Sequence, residues 1–363
     1  MRILHVNNEK GWRGGERQTL LTAAEQRRQG VDASIACRRG SDLARMSREN
    51  GVPILELPAS PAGTILHLRK AIPAFDLIHC HSGRAHSLAA LAMLGRPKPL
   101  VISRRVDFVP RNSWFNRWKF RRCAKVVCVS HWIARLLEDW GLEKERIAVV
   151  YEAVPGDTCL SPEASRKLLA GKAGFREGQK LVGNIAALVP HKDQETLLRA
   201  ARFVADHRPD VAFVIVGEGL LQQQLLDLRQ SLGLAETVHF TGFIPQAQRL
   251  LPAFDVLAMS SCMEGLGTTV LDAGMAEIPV AATAGGGLPE IVLNEKTGLL
   301  VPVKDARALA EAILRLLSDG PLAKQLASNA RHRLETDFTV SAMARRYVDI
   351  YRTVLKNPPQ KDS

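Results

Sequence analysis

The chain alternates short runs of Val, Ile and Leu with longer stretches of helical periodicity, and does so twice, on either side of one Pro- and Gly-rich interval. That rhythm leaves little choice of architecture. Strand-helix alternation from the first residue gives parallel strands joined by crossover helices that cover both faces of a sheet. The spacing predicts strands at Arg2 to Val6, Ala33 to Cys37, Ile54 to Leu57, Leu77 to Cys80, Leu100 to Ser103, Val126 to Val129 and Ile147 to Val150. A second series follows at Lys180 to Ala186, Val211 to Val216, Val238 to Phe240, Val256 to Met259, Pro279 to Ala282 and Leu299 to Val301. The interval Tyr151 to Gln179, with Pro155, Gly156, Pro162, Gly171, Gly174 and Gly178 and no strand-like run, reads as linker. A length of 363 residues also exceeds what one core usually organises. The expected fold class is therefore α/β, with two doubly wound domains at 1–160 and 175–337 and a helix at 338–357 that caps one of them. A frayed tail is expected from Lys356.

No run of about 18 apolar residues occurs and Met1 leads directly into a strand, so a cytoplasmic protein is expected. The six cysteines form no CxxC pair and read as reduced, mostly buried hydrophobes. A net charge of +12 suits a polyanionic partner, although basic residues that merely solvate helix faces contribute to it. The run Trp114 to Arg122 interleaves aromatic and basic side chains. That pattern fits an anionic membrane surface, a core helix with a solvated basic face, or single-stranded nucleic acid. No nucleic-acid motif accompanies it, so no nucleic-acid partner is expected.

Two glycine-rich segments follow predicted strands. Gly14 and Gly15 precede a helix-like run from Arg17, where free N–H groups could approach a phosphate, although the GxGxxG spacing is absent. The stretch Ser260 to Met275 is more telling. Glu264 falls in the loop at a strand's carboxyl end, the place where open α/β sheets bind ligands. Gly267, Thr268 and Thr269 begin a helix whose N–H groups suit a pyrophosphate. Asp272, one turn on, could accept from a ribose hydroxyl. An ordinary helix start with acidic residues near its positive end would look similar.

At this stretch the chain resembles family 4 of the retaining glycosyltransferases, whose members carry a pattern like E-G-F-G-x-x-x-x-E-A-M-A. Glu264, Gly265, Leu266 and Gly267 take the first four places, Asp272 replaces the second Glu, and Gly274 stands at the usual Met. The resemblance continues in order along the chain. Gly14-Gly15-Glu16 resembles the GGxE loop, His79-Cys80-His81 the H-x-H after the fourth strand, and Val216-Gly217-Glu218-Gly219 the VGDG turn. Phe240-Thr241-Gly242-Phe243 resembles the strand before the base pocket, and Gly285 to Glu290 the GGxPE loop. One departure is prominent: where the family places an Arg five residues before a Lys, this chain has Ala187 before Lys192. His191 or Arg13 could supply the missing cation.

The resemblance implies a GT-B fold with its two domains facing across a cleft, and a nucleotide-diphosphate sugar, UDP-linked before GDP-linked, as donor. It implies donor contacts from the glycines and acids named above, including Gly217 and Glu290, and catalytic roles for Glu264, Lys192 and His81. No cofactor and no essential metal is implied. Arg104, Arg105 and Asp107, after the fifth strand, would face the acceptor, a glycolipid or glycan such as lipopolysaccharide core, at the cytoplasmic face of the inner membrane. A nucleotide-sugar 2-epimerase and a catalytically inactive nucleotide-sugar-binding protein share the architecture and stand as alternatives.

Overall fold

The structure, a computed structural model, describes residues 1–156 and 159–357. The end of the tail expected to fray lies outside the described residues. The chain divides into two compact units, Met1–Ala153 together with the final helix Val340–Lys356, and Val154–Phe338.

The first unit holds β1 (Arg2–Asn7), β2 (Asp32–Arg38), β3 (Ile54–Leu57), β4 (Leu77–Cys80), β5 (Leu100–Arg104), β6 (Lys125–Cys128) and β7 (Ile147–Val149). They form a seven-stranded parallel sheet in the order β3-β2-β1-β4-β5-β6-β7. The second unit holds β8 (Lys180–Ile185), β9 (Val211–Val216), β10 (Val238–Gly242), β11 (Val256–Met259), β12 (Val280–Thr283) and β13 (Leu299–Val301), ordered β10-β9-β8-β11-β12-β13. Each expected strand is present, displaced at its ends by a residue or two where it is displaced at all. In each sheet the order reverses beside the first strand, between β1 and β4 and between β8 and β11. The crevice at such a reversal is where doubly wound sheets hold ligands.

The interval expected to be linker is largely an element of the second unit. A helix runs over Pro162–Ala173, with Ser161 accepting from the Ala164 N–H and Gly174 closing it at φ 70°. Pro162 opens it at the first turn, where a missing N–H costs nothing, and the left-handed glycine stops it. Arg166 Nη2 anchors it to Asp255 Oδ2 at 2.9 Å.

The final helix, which the sequence could assign to either domain, covers the first sheet. Its Met343, Tyr347, Val348, Tyr351 and Val354 are buried with Ile3, Leu77, Val101 and Val127 of the strands. Tyr347 and Tyr351 are the largest fully buried side chains in the protein. Burying each such side chain contributes on the order of 2 kcal/mol. Among the described residues no helix is long and apolar enough to cross a membrane.

Candidate active site

In the second unit three loops meet at the carboxyl ends of β8, β11 and β12. The turn after β8 (Pro190–Lys192) carries Lys192, and the loop after β11 carries Glu264. Lys192 Nζ lies 2.5 Å from Glu264 Oε1, and Ser261 Oγ donates to the same oxygen at 2.9 Å. The two loops are also tied by backbone, since the Cys262 N–H donates to His191 O at 3.0 Å and Ser260 Oγ to Lys192 O at 3.0 Å. Glu264 is buried and Lys192 half-buried, so the ion pair is held in place from both sides. Ser261, which orients the carboxylate, belongs to no recognised motif; only its position three residues before Glu264 marked it.

The glycines around this pair serve close approach between backbones. A Cβ on Gly285, Gly286 or Gly287 would stand 2.2, 2.3 or 2.4 Å from the carbonyl oxygens of Ser261, Glu264 and Gly265 respectively. Gly286 also sits at φ 62°, a conformation that disfavours any side chain. The loop before Glu290 is thus a strut beneath the Glu264 loop, and Gly287 N donates to Glu264 O at 2.9 Å. Arg333 braces it further, donating to Glu290 O at 2.8 Å and Ile291 O at 2.5 Å. Gly217 plays the same part toward the loop after β8. Its Cβ would meet Ala186 O at 2.0 Å, and its N–H, expected for the donor, is bonded to Gly242 O at 3.0 Å.

The helix Thr268–Met275 begins at Gly267, φ 101°, without a side-chain cap, so its first N–H groups point outward. Leu266 is buried beneath it, Thr269 Oγ1 donates to Ile185 O at 3.3 Å, and Asp272 is buried on its inner side. Gly274, at the place of the usual Met, lets this helix lie against Leu334, whose Cδ1 would be 2.6 Å from an added Cβ. Ala187 is exposed and supplies no cation; its carbonyl accepts from Gln194 Nε2 at 3.0 Å.

In the first unit the residues expected to act in catalysis and on the acceptor gather at the carboxyl edge of β1, β4 and β5. His81, expected to act in catalysis, has both ring nitrogens bonded within the protein: Nε2 to His5 Nδ1 at 2.8 Å, Nδ1 to Arg105 Nη1 at 3.0 Å. Burial, with His79 and Arg105 nearby, holds its pKa well below the ordinary value, so the ring is neutral. Its visible effect is to hold Arg105, which also donates from Nε to Glu152 Oε1 at 2.7 Å. Arg104 folds back on its own loop, bonding the Phe108 carbonyl and stacking on the Phe108 ring with 5.1 Å to the centroid. Arg105 lies beside Gly15, whose added Cβ would be 4.0 Å from Arg105 Cδ. Asp107 is half-buried in the same loop. Gly14 and Gly15 form the first turn of the helix Gly14–Arg28, earlier than the expected start, and Glu16 Oε2 accepts from the Arg13 N–H at 3.0 Å.

His5, His79 and His81 bring possible metal-ligand nitrogens within 4.8 Å of one another. Each ring nitrogen of the three, however, already has a protein partner, and the Arg105 guanidinium adjoins the cluster. A cation there would displace hydrogen bonds and meet a like charge.

The aromatic-basic run forms the helix Trp114–Arg121 and splits between two surroundings. Phe120 and Lys119 are buried, whereas Trp114 is 78% exposed and stacks on Trp118 at 6.3 Å. Phe108 and Val109 in the preceding loop are exposed as well.

Two parallel Rossmann-like sheets, each with a charged or glycine-lined edge at its switch point, define the GT-B class of fold. A solved structure of this fold, Anabaena HepE in complex with UDP and glucose, matches with a TM-score of 0.82 at 21% identity, over 97% of this chain and 100% of that one. Residues 12–157 match the family described as Glycosyltransferase Family 4, and residues 165–333 the one described as Glycosyl transferases group 1. The 2-deoxystreptamine glucosyltransferase of Streptomyces kanamyceticus is 30% identical over 310 residues, 79% of this chain and 80% of that protein. The putative glycosyltransferase EpsD of Bacillus subtilis is 27% identical over 344 residues, 89% of each chain. The protein belongs to this glycosyltransferase family and is a glycosyltransferase.

Proposed function

We propose that the protein transfers a hexose-type sugar, with retention, from a nucleoside diphosphate sugar to a hydroxyl of an anionic glycolipid or glycan of the cell envelope. The observation that carries this reading is the Lys192–Glu264 pair beside an uncapped helix start. Lys192 and Ser261 both bond Glu264 through Oε1, which leaves Oε2 for a sugar hydroxyl. Lys192 keeps two ammonium donors for phosphate oxygen, and the N–H groups of Thr268 and Thr269 add their dipoles. As the bond from C1 to the diphosphate breaks, negative charge grows where these donors point. The acceptor oxygen bonds to C1 on the same face, and the departing phosphate oxygen takes its proton. No carboxylate is placed as a covalent nucleophile in this reading. His191, on the same turn as Lys192, or Arg13 in the first glycine loop supplies a hydrogen-bond donor in place of the side chain missing at Ala187.

HepE was solved with UDP, which supports a uridine donor first. Arg105 supports an anionic acceptor. Trp114, Phe108 and Val109 with the nearby arginines support contact with an anionic membrane at the cytoplasmic face. The test is a thermal-shift screen of UDP-glucose, UDP-galactose, UDP-GlcNAc and GDP-mannose, followed by nucleotide release with the best binder. Stabilisation and slow UDP release that both vanish in Glu264→Gln support the reading. Conversion of UDP-GlcNAc to its C2 epimer, UDP-linked or free, without acceptor would make the protein an epimerase. Binding with neither transfer nor hydrolysis would make it an inactive binder.

A further inference from the structure

The buried polar groups of the first sheet form one continuous chain, and its direction can be read from one end. A guanidinium only donates, so the bond from Arg105 Nη1 makes His81 Nδ1 an acceptor. Burial keeps His5, His79 and His81 neutral, with one donor and one acceptor nitrogen each. The proton of His81 is therefore on Nε2 and is donated to His5 Nδ1 at 2.8 Å. His5 must then donate from Nε2 to Gln26 Oε1 at 2.9 Å. With its oxygen so engaged, Gln26 turns its nitrogen toward Tyr351 Oη, 3.4 Å away. Tyr351 donates to His79 Nδ1 at 2.5 Å, and His79 Nε2 donates to Ser103 Oγ at 2.8 Å. Ser103 Oγ lies 2.9 Å from Tyr347 Oη, where the chain ends on the final helix. The bonds from Arg105 as far as Ser103 all run the same way.

We propose that Gln26 is a positioning residue for Arg105, and that Tyr351 sets the tautomer of His79 alone. By accepting from His5, Gln26 holds His5 and His81 in the Nε2–H tautomer, so that His81 presents the guanidinium with a lone pair and not a proton. The reverse order would set an N–H of His81 against an N–H of Arg105. Glu152 would then hold the guanidinium by itself, and Nη2 is already buried without a partner. The tautomers stand whatever the protein's reaction; only the assignment of Arg105 to an acceptor rests on the function proposed above.

The experiment is long-range 15N–1H correlation on histidine- and arginine-labelled protein of full length, without ligand, near pH 7.5. The wild type is expected to show Nε2–H forms for His5, His79 and His81, and a sharp, slowly exchanging Nε–H signal for Arg105. In Tyr351→Phe, His79 alone should lose its single tautomer, because the other two take their direction from Arg105. In Arg105→Leu, His81 and His5 should admit Nδ1–H forms. Gln26→Met, which removes the acceptor of His5, should broaden the Arg105 Nε–H signal. With an acceptor in hand, that variant should raise the acceptor KM about tenfold at unchanged donor KM. An Nδ1–H form of any of the three rings in the wild type overturns the proposal. So does an Arg105 signal indifferent to Gln26→Met in folded protein, or a shift of all three rings on adding one equivalent of Zn2+. Arg105→Leu, read on the tautomers of His81 and His5, keeps the idea testable should Gln26→Met fail to fold.

Discussion

Glu264 and Lys192 reach each other from loops 72 residues apart in sequence, and each limits where the other can point. A unit of this kind fails as a unit. Lys192→Ala and Glu264→Gln are each expected to lower turnover by about 10²–10³-fold, the range seen when one charge-stabilising donor is lost. The double variant should cost little more than either single one, which steady-state assay of donor turnover will show. The placing of Glu264 was legible because its loop directly follows a strand, whereas Lys192 was picked out only by the family resemblance. The true surroundings of His81 were not legible. Its partners come from residues 5 and 105, and theirs from 26, 152 and 351, positions that no local spacing connects. Arg104 and Arg105 look equivalent as a dipeptide; the alternation of a strand end sends one back onto Phe108 and the other to Glu152.

Elements were legible where periodicity was strong, and misassigned where glycine and proline were taken only as breakers. Pro162 and Gly174 are punctuation for a helix, at its first turn and just past its end. The helix Gly320–Asp337 carries the same punctuation, since Gly320 and Pro321 open it behind an Asp319 cap. The same distinction predicts opposite outcomes for two glycine substitutions. Gly171, inside the helix Pro162–Ala173, faces open space, so Gly171→Ala should stabilise the second unit by about 0.5–1 kcal/mol. Gly286→Ala forces a side chain into a left-handed backbone and against Glu264 O, and should destabilise by about 2–4 kcal/mol. Urea midpoints followed by far-UV circular dichroism separate the two. For the helix Trp114–Arg121, Trp114→Glu should reduce sedimentation with phosphatidylserine vesicles and leave donor turnover unchanged, since its ring is largely exposed and stacks on Trp118.

At the scale of the whole molecule, pH acts through the first unit. Burial lowers His5 to about 4 and His86 to about 3 from an ordinary 6.5, with His79 and His81 moved the same way. The unfolded chain therefore takes up protons first as the solution is acidified. Stability is whole above about pH 6.5 and declines as pH falls toward those lowered values, at ~1.4 kcal/mol per pH unit for each histidine. All five tryptophans, at positions 12, 114, 118, 132 and 140, lie in the first unit, so their fluorescence follows its unfolding selectively. The urea midpoint by fluorescence should fall steadily from pH 7 to pH 5; a flat profile would show those rings to be protonated or solvated in the folded state. The discontinuity of that unit also sets an order on synthesis. Its sheet is made first, yet the helix that carries Met343, Tyr347 and Tyr351 is translated only after the whole of Val154–Phe338. On the ribosome the face of Ile3, Leu77, Val101 and Val127 must wait uncovered through that interval, and the nascent chain is open to holdase chaperones until its last helix is released.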